Sequence, residues 1–292
     1  MTKIKRARIT FQSGPDECVG YFFVPEGIKG PVACVVLGHG FTGTQDRLQS
    51  SAERFAAEGM AALTFDYRAF GESGGKPRQV ISIKGQLEDF KNAIAFARSQ
   101  PVVDPSRIGV WGSSLAGGYV ITLAAKDPTI AAVVAQVPFN GFPKKVEGRS
   151  KEATNRLLGA MIKDSFRGMF GREPFYIKAV GTTGELAVMA TPEAQKTIDG
   201  MKSDQWQNKV APRVLFEMMK YKPGSVAADI KIPVMVCVAT QDKETQQGAA
   251  LAAGPRAVLK SYPVAHFEIY RPDIREQVLN DQATFFKKVL AA

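Results

Sequence analysis

The sequence predicts an α/β fold, a doubly wound and mostly parallel sheet with a helical cap inserted into it, and three observations carry that reading. Short runs rich in β-branched and apolar residues recur at 32–37, 61–65, 107–111, 130–137, 233–239 and 256–262. Runs that are apolar at successive positions suit strands covered on both faces, as in a parallel sheet. Helical patterns lie between them. Leu87, Phe90, Ile94 and Ala97 form one apolar stripe, 48–58 stops before Gly59, and Ile274, Val278, Phe285, Val289 and Leu290 recur on a helical period. Strands alternating with helices imply right-handed crossovers around a parallel sheet. The third observation is a break in the rhythm. Between 141 and 225 no strong buried strand appears, only helical pieces at 151–170 and 194–221. That is too long for a plain loop. The expected organisation is therefore a core of residues 1–140 and 226–292 with a cap at 141–225.

Composition removes several alternatives. The 292 residues are 45% hydrophobic and 23% charged, which is globular rather than disordered or fibrous. Cys18, Cys34 and Cys237 fit neither a disulfide framework nor zinc-ligand spacing, and Cys34 and Cys237 read as small buried hydrophobes. No run approaches a membrane-spanning length, and the basic start at residues 1–6 is not followed by an apolar export segment, so a cytoplasmic protein is expected. The net charge of +10 is spread along the chain without a nucleic-acid motif. Neither nucleic acid nor membrane is expected as a partner. The oligomeric state stays open, a homodimer included.

The richest segment is Arg107-Ile108-Gly109-Val110-Trp111-Gly112-Ser113-Ser114-Leu115-Ala116-Gly117-Gly118. A buried strand ends at Gly112 and a small-residue helix begins near Leu115. A serine on such a turn is held in strained backbone geometry with its hydroxyl above the sheet. Small residues are needed two places before and after it, and Gly112 and Ala116 supply them around Ser114. Gly71-Glu72-Ser73-Gly74-Gly75 matches the G-x-S-x-G pattern more literally. It lacks the setting, because residues 66–70 separate it from its strand and Lys76-Pro77 follows where a helix should start. Ser114 is therefore preferred to Ser73.

Only two histidines are present, His39 and His266, each just past a strand end, where open α/β sheets place ligands. A serine nucleophile needs an imidazole to take its proton and a carboxylate to orient that imidazole. Asp242 follows the run at 233–239 and precedes His266, and Glu244 is the nearby rival. An acid after the preceding strand is excluded, because Val137-Pro138-Phe139-Asn140 offers none. The order Ser114, Asp242, His266 is the one expected for this constellation on such a sheet. The N–H groups of Leu115 and of Phe41, in the His39-Gly40-Phe41 loop, are candidates for holding the oxyanion. His39 and Gly40 then shape that loop.

These residues resemble the α/β-hydrolase superfamily across nearly the whole chain. The resemblance rests on His39-Gly40-Phe41, on Asp66-Tyr67-Arg68-Ala69-Phe70-Gly71-Glu72-Ser73, on the Ser114 turn, on Asp242 and on His266-Phe267. Residues 112–118, 181–189, 208–213 and 221–224 look like the branch related to dienelactone hydrolases and fungal polyketide transferases. Ala69, Ala116 and Ala265 stand where these motifs often have glycine.

The expected activity is hydrolysis of an ester or thioester of a small, apolar acyl substrate through an acyl-enzyme, without cofactor or metal. The alternatives are acyl transfer to an alcohol by the same residues, a non-catalytic small-ligand binder, and a cofactor-free haloperoxidase or carbon–carbon hydrolase. Met161, Phe166, Met169, Phe170, Phe175, Tyr176, Met189, Trp206, Met218 and Met219 give the cap an apolar inventory. Part of it is expected to line a pocket over Ser114.

Overall fold

The computed structural model describes residues 3–142, 150–190, 194, 203–242 and 248–291. The chain opens with a hairpin of β1 (Ile4–Ser13) and β2 (Asp16–Pro25), paired antiparallel. Then come β3 (Val32–Gly38), α1 (Gln49–Ala57), β4 (Ala61–Phe65), α2 (Ile83–Arg98), β5 (Val103–Ser113), α3 (Leu115–Lys126) and β6 (Ala132–Gln136). The inserted stretch contributes α4 (Lys151–Met169), β7 (Lys178–Val180), β8 (Ala187–Met189) and α5 (Val214–Lys220). The chain returns to the core with β9 (Val234–Ala239), β10 (Ala257–Tyr262) and α6 (Pro272–Leu290).

Eight strands form one sheet in the order β1-β2-β4-β3-β5-β6-β9-β10. From β4 to β10 every pairing is parallel, and β2 joins β4 antiparallel. Each run that the apolar pattern marked as a strand lies in this sheet. The hairpin is additional. Most of β1 is exposed, so it shows no continuous apolar run to mark it.

Helices cover both faces because both faces of the central strands are apolar. Phe55 of α1 and Phe286 of α6 pack with Val35, Leu37 and Val134 on one face. Phe90 of α2 and Tyr119 of α3 pack with Val36, Val110 and Ala135 on the other. The cysteines at 18, 34 and 237 are free and fully buried among these layers. Burial pushes the Cys237 thiol up to about 11 and that of Cys34 higher still.

The inserted stretch carries a small sheet besides its helices. Helix α4 matches the piece expected at 151–170, but β7 and β8 form a separate two-stranded parallel sheet, and Ile177 bridges to Val210. These strands are three residues each, too short to show an alternating pattern in the sequence. Of the helix expected over 194–221, the described residues show Ala194 in a helix and then only α5, while residues 195–202 fall outside them.

Candidate active site

The order in which the strands are laid down reverses between β3 and β5: the crossover from β3 runs to β4 on one side and that from β5 runs to β6 on the other, so a crevice opens between their ends. His39 follows β3 at that point and Ser114 follows β5. Asp242 lies beyond the end of β9, and His266 beyond the end of β10.

Ser114 occupies the turn from β5 into α3 with φ 54° and ψ −116°, a conformation that side-chain-bearing residues rarely adopt. Backbone hydrogen bonds hold it there: its N–H donates to the Gln136 carbonyl at 2.9 Å, and its carbonyl accepts from Phe139 N–H at 2.9 Å. The turn leaves no room for a side chain at 112, since a Cβ on Gly112 would sit 2.2 Å from the Ala116 carbonyl oxygen. On the opposite side, a Cβ on Gly40 would lie 3.1 Å from the Ser114 Cβ. The His39-Gly40-Phe41 loop thus packs against the serine backbone. Leu115 begins α3 directly after Ser114, with its N–H among the free donors of that helix end.

His266 Nδ1 is 2.8 Å from Asp242 Oδ2, and both side chains are buried. As the carboxylate accepts, Nδ1 carries the proton and Nε2 keeps its lone pair. Ser114, His266, Phe41, Gly40 and His39 all border one cavity of about 140 Å³. The hydroxyl, the imidazole with its carboxylate, and the proposed oxyanion loop are therefore brought together. Glu244, the rival acid, lies outside the described residues.

His39 is buried, donates from Nδ1 to the Gly40 carbonyl at 3.0 Å, and stacks edge-on against Tyr67. Burial lowers its pKa to about 4, so it is neutral and not a competing base at neutral pH. Its Nε2 faces Asp66 Oδ1 at 3.8 Å. Asp66 accepts N–H bonds from Gln45 and Glu72, and burial raises its pKa to about 6.

Ser73 is buried in the floor of a loop instead. Its hydroxyl donates to the Asp66 carbonyl at 2.6 Å and accepts Val19 N–H at 2.8 Å.

A polar chain beneath Ser114 escaped the sequence reading. Trp111 Nε1 donates to Gln282 at 2.8 Å, Gln282 donates to Gln136 at 2.9 Å, and Gln136 donates to Ser113 Oγ at 3.2 Å. Ser113 in turn shares a 2.6 Å bond with Tyr270, whose hydroxyl burial pushes up to about 12. A glutamine at 282 on the apolar face of α6, among Val278, Leu279, Ala283 and Phe286, was the available signal.

The cap contributes less to the cavity than its apolar inventory allows. Met189 and Trp206 line it. Met161 and Met218 are buried in the core, Phe175 and Tyr176 are partly covered elsewhere, and Phe166, Met169, Phe170 and Met219 face solvent. Among the described residues no group of three or more His, Cys, Asp or Glu is placed to hold a metal ion, and no helix is long and apolar enough to cross a membrane.

Residues 29–271 match the family model described as serine aminopeptidase, S33. The quorum-quenching protein AidA of Acinetobacter baumannii (strain MDR-ZJ06) is 36% identical over 97% of this chain and 94% of its own length. The polyketide transferase claH of Penicillium crustosum is 26% identical over 93% of each chain. The α/β hydrolase GrgF from Penicillium sp. sh18 superposes with a TM-score of 0.81 at 20% identity, covering 99% of this chain and 100% of that one.

Proposed function

The chain belongs to the serine aminopeptidase, S33 family of α/β hydrolases, and from that membership we propose a serine hydrolase that cleaves an ester or thioester of a small acyl substrate. The observation that carries the reading is the 2.8 Å bond between His266 and Asp242 on the cavity that Ser114 borders in its strained turn. With Nδ1–H donated to Asp242, His266 Nε2 is the base that takes the Ser114 proton as Oγ attacks the carbonyl carbon. The oxygen of the tetrahedral adduct accepts N–H bonds from Leu115 and Phe41, and the positive end of α3 favours its charge. The adduct collapses with cleavage of the bond to the leaving alcohol or thiol, which takes the proton from His266. Water then gives a proton to His266 as it attacks the acyl-enzyme, the bond to Ser114 Oγ breaks, and His266 returns the proton to that oxygen as the acid is released. Phe41, Leu48, Trp111, Met189, Trp206, Phe267 and Leu279 give this cavity apolar walls suited to an acyl chain.

A fluorophosphonate probe is expected to label the wild type at Ser114, and Ser114→Ala to lose both labelling and p-nitrophenyl acetate turnover by about 10³-fold or more. Asp242→Asn, which misorients the imidazole, is expected to lower kcat by about 10³–10⁴-fold. Wild-type turnover in Ser114→Ala would overturn the reading, and absence of labelling in the wild type would favour a non-catalytic binder. The likeness to a polyketide transferase over 93% of the chain favours a second reading, transfer of the acyl group to an alcohol. Ester products formed when alcohols are added, at the expense of free acid, would select it.

A further inference from the structure

The cavity holds two cationic side chains that the proposed chemistry does not use. Arg47 lies in the short turn Gln45–Leu48 before α1, and Arg275 lies in the first turn of α6. Both line the cavity with Ser114 and His266. The fold brings them to one end. Arg54 bonds Asn280 at 2.9 Å, Lys287 pairs with Glu58 at 3.0 Å, and the Phe55 and Phe286 rings meet at 5.4 Å. These contacts advance along α1 and α6 in the same sense, so the helices run side by side in parallel. Their N-terminal ends, which carry Arg47 and Arg275, therefore open on the same space.

Neither guanidinium has a hydrogen bond or an ion pair among the described residues. Nε and one terminal nitrogen of Arg47, and Nε of Arg275, are shielded from solvent without a protein acceptor. Both side chains are partly buried, and cations withdrawn from water are ordinarily paired, because an unpaired one forfeits its hydration. Arginines elsewhere in the chain follow that rule; Arg213, for example, grips the buried Asp164 at 2.7 Å and 2.8 Å. The cavity lining, by contrast, includes no aspartate or glutamate among the described residues. Burial lowers the Arg47 pKa, and the charge of the neighbouring Asp46 offsets this only in part.

We propose that Arg47 and Arg275 form an anion subsite in the Ser114 cavity, so that the preferred ester or thioester carries a carboxylate remote from its scissile carbonyl. This rests on the reading of Ser114 as nucleophile and narrows its substrate class. The guanidinium fork supplies paired donors for a carboxylate, and the apolar walls accept the chain between the two ends of the substrate. An amphiphilic acyl ester, rather than a wholly apolar one, matches this lining.

The test compares kcat/KM for mono-p-nitrophenyl suberate with that for p-nitrophenyl octanoate, and for the octanoyl ester of 3-hydroxybenzoate with that for phenyl octanoate. The first pair places the carboxylate on the acyl side, the second on the leaving group. The wild type is expected to favour the anionic member of one pair by about tenfold or more, the scale of a charge-assisted hydrogen bond. Arg47→Met and Arg275→Met each reduce that ratio, and the double variant brings it to about one. Each ratio is read on a single preparation, so loss of folded enzyme cancels. A wild type that favours the neutral member of both pairs, or a double variant with an unchanged ratio, overturns the subsite. If no ester is cleaved and no probe labels Ser114, it is the hydrolase reading that fails, and suberate titration calorimetry then decides the subsite alone. Suberate binding that is lost in the double variant supports it, and no binding, or equal binding by both proteins, overturns it.

Discussion

Ser73 and Ser114 carry the same side chain in similar glycine-rich surroundings, and their environments give them opposite fates. At Ser73 both the donor and the acceptor capacity of the hydroxyl are used inside the fold, by the Asp66 carbonyl and by Val19 N–H. At Ser114 the backbone takes the strain and the side chain borders the cavity. Ser73→Ala leaves Val19 N–H buried without a partner, which costs about 1–3 kcal/mol. Urea denaturation is expected to show that loss while fluorophosphonate labelling persists. Loss of labelling in a variant that still melts cooperatively would return Ser73 to consideration. Ala69, in a position where the motif often has glycine, sits at φ 69°, so the departure is accommodated with a strained residue and not by a rebuilt loop.

Among the elements, the inserted stretch is tied down by polar contacts that its sequence does not advertise. Asp164, fully buried on α4, accepts Phe175 N–H at 2.8 Å and Arg213 N–H at 3.0 Å, besides the two bonds from the Arg213 guanidinium. It thus joins α4 to the start of α5. Glu217 on α5 in turn accepts Ile83 N–H at 3.0 Å at the beginning of α2, fixing α5 to a core helix. Asp164→Ala removes one partner of a buried pair and strands two N–H groups, so a loss of about 3–5 kcal/mol is expected in urea denaturation. A change below about 1 kcal/mol would place the pair among exposed ion pairs of little worth. The β1–β2 hairpin shows the converse. Its pairing is extensive, but β1 is an edge with solvent on much of its surface, and its residues carry no apolar run.

For the molecule as a whole, two buried groups beside each other make opposite contributions to stability as pH changes. His39 is held at about 4 against its ordinary 6.5, so the unfolded chain takes up this proton first and stability is lost as pH falls from about 6.5 to 4. Asp66 is held at about 6 against its ordinary 3.8, so the folded chain takes up that proton first and stability is gained as pH falls from about 6 to 3.8. Each amounts to about 3 kcal/mol at full extent, and they nearly offset one another in the shared window. Asp66→Asn removes the second contribution only. Its stability relative to wild type is expected to fall by about 3 kcal/mol from pH 7 to pH 4 in urea denaturation at each pH. Parallel curves for the two proteins would show that Asp66 does not titrate in this range.

What was legible in the sequence follows from local chemistry. Continuous apolar runs require cover on both faces, so β3, β4, β5, β6, β9 and β10 could be read as a parallel sheet. Small residues flanking a serine between strand and helix singled out Ser114, and two histidines at strand ends left few candidates for a base. The remainder depends on residues distant in the chain. Whether Asp242 or Glu244 meets His266, whether Gln282 reaches Gln136, and whether Arg47 and Arg275 share a space cannot be read from spacing, because crossovers and helix packing set those distances. The short strands β7 and β8 belong here too, since three residues carry no period and pair only once the surrounding chain holds them. Sequence alone determined the layers and the residue types at their ends; tertiary packing decided which of those residues meet, because contact is a property of folded distance.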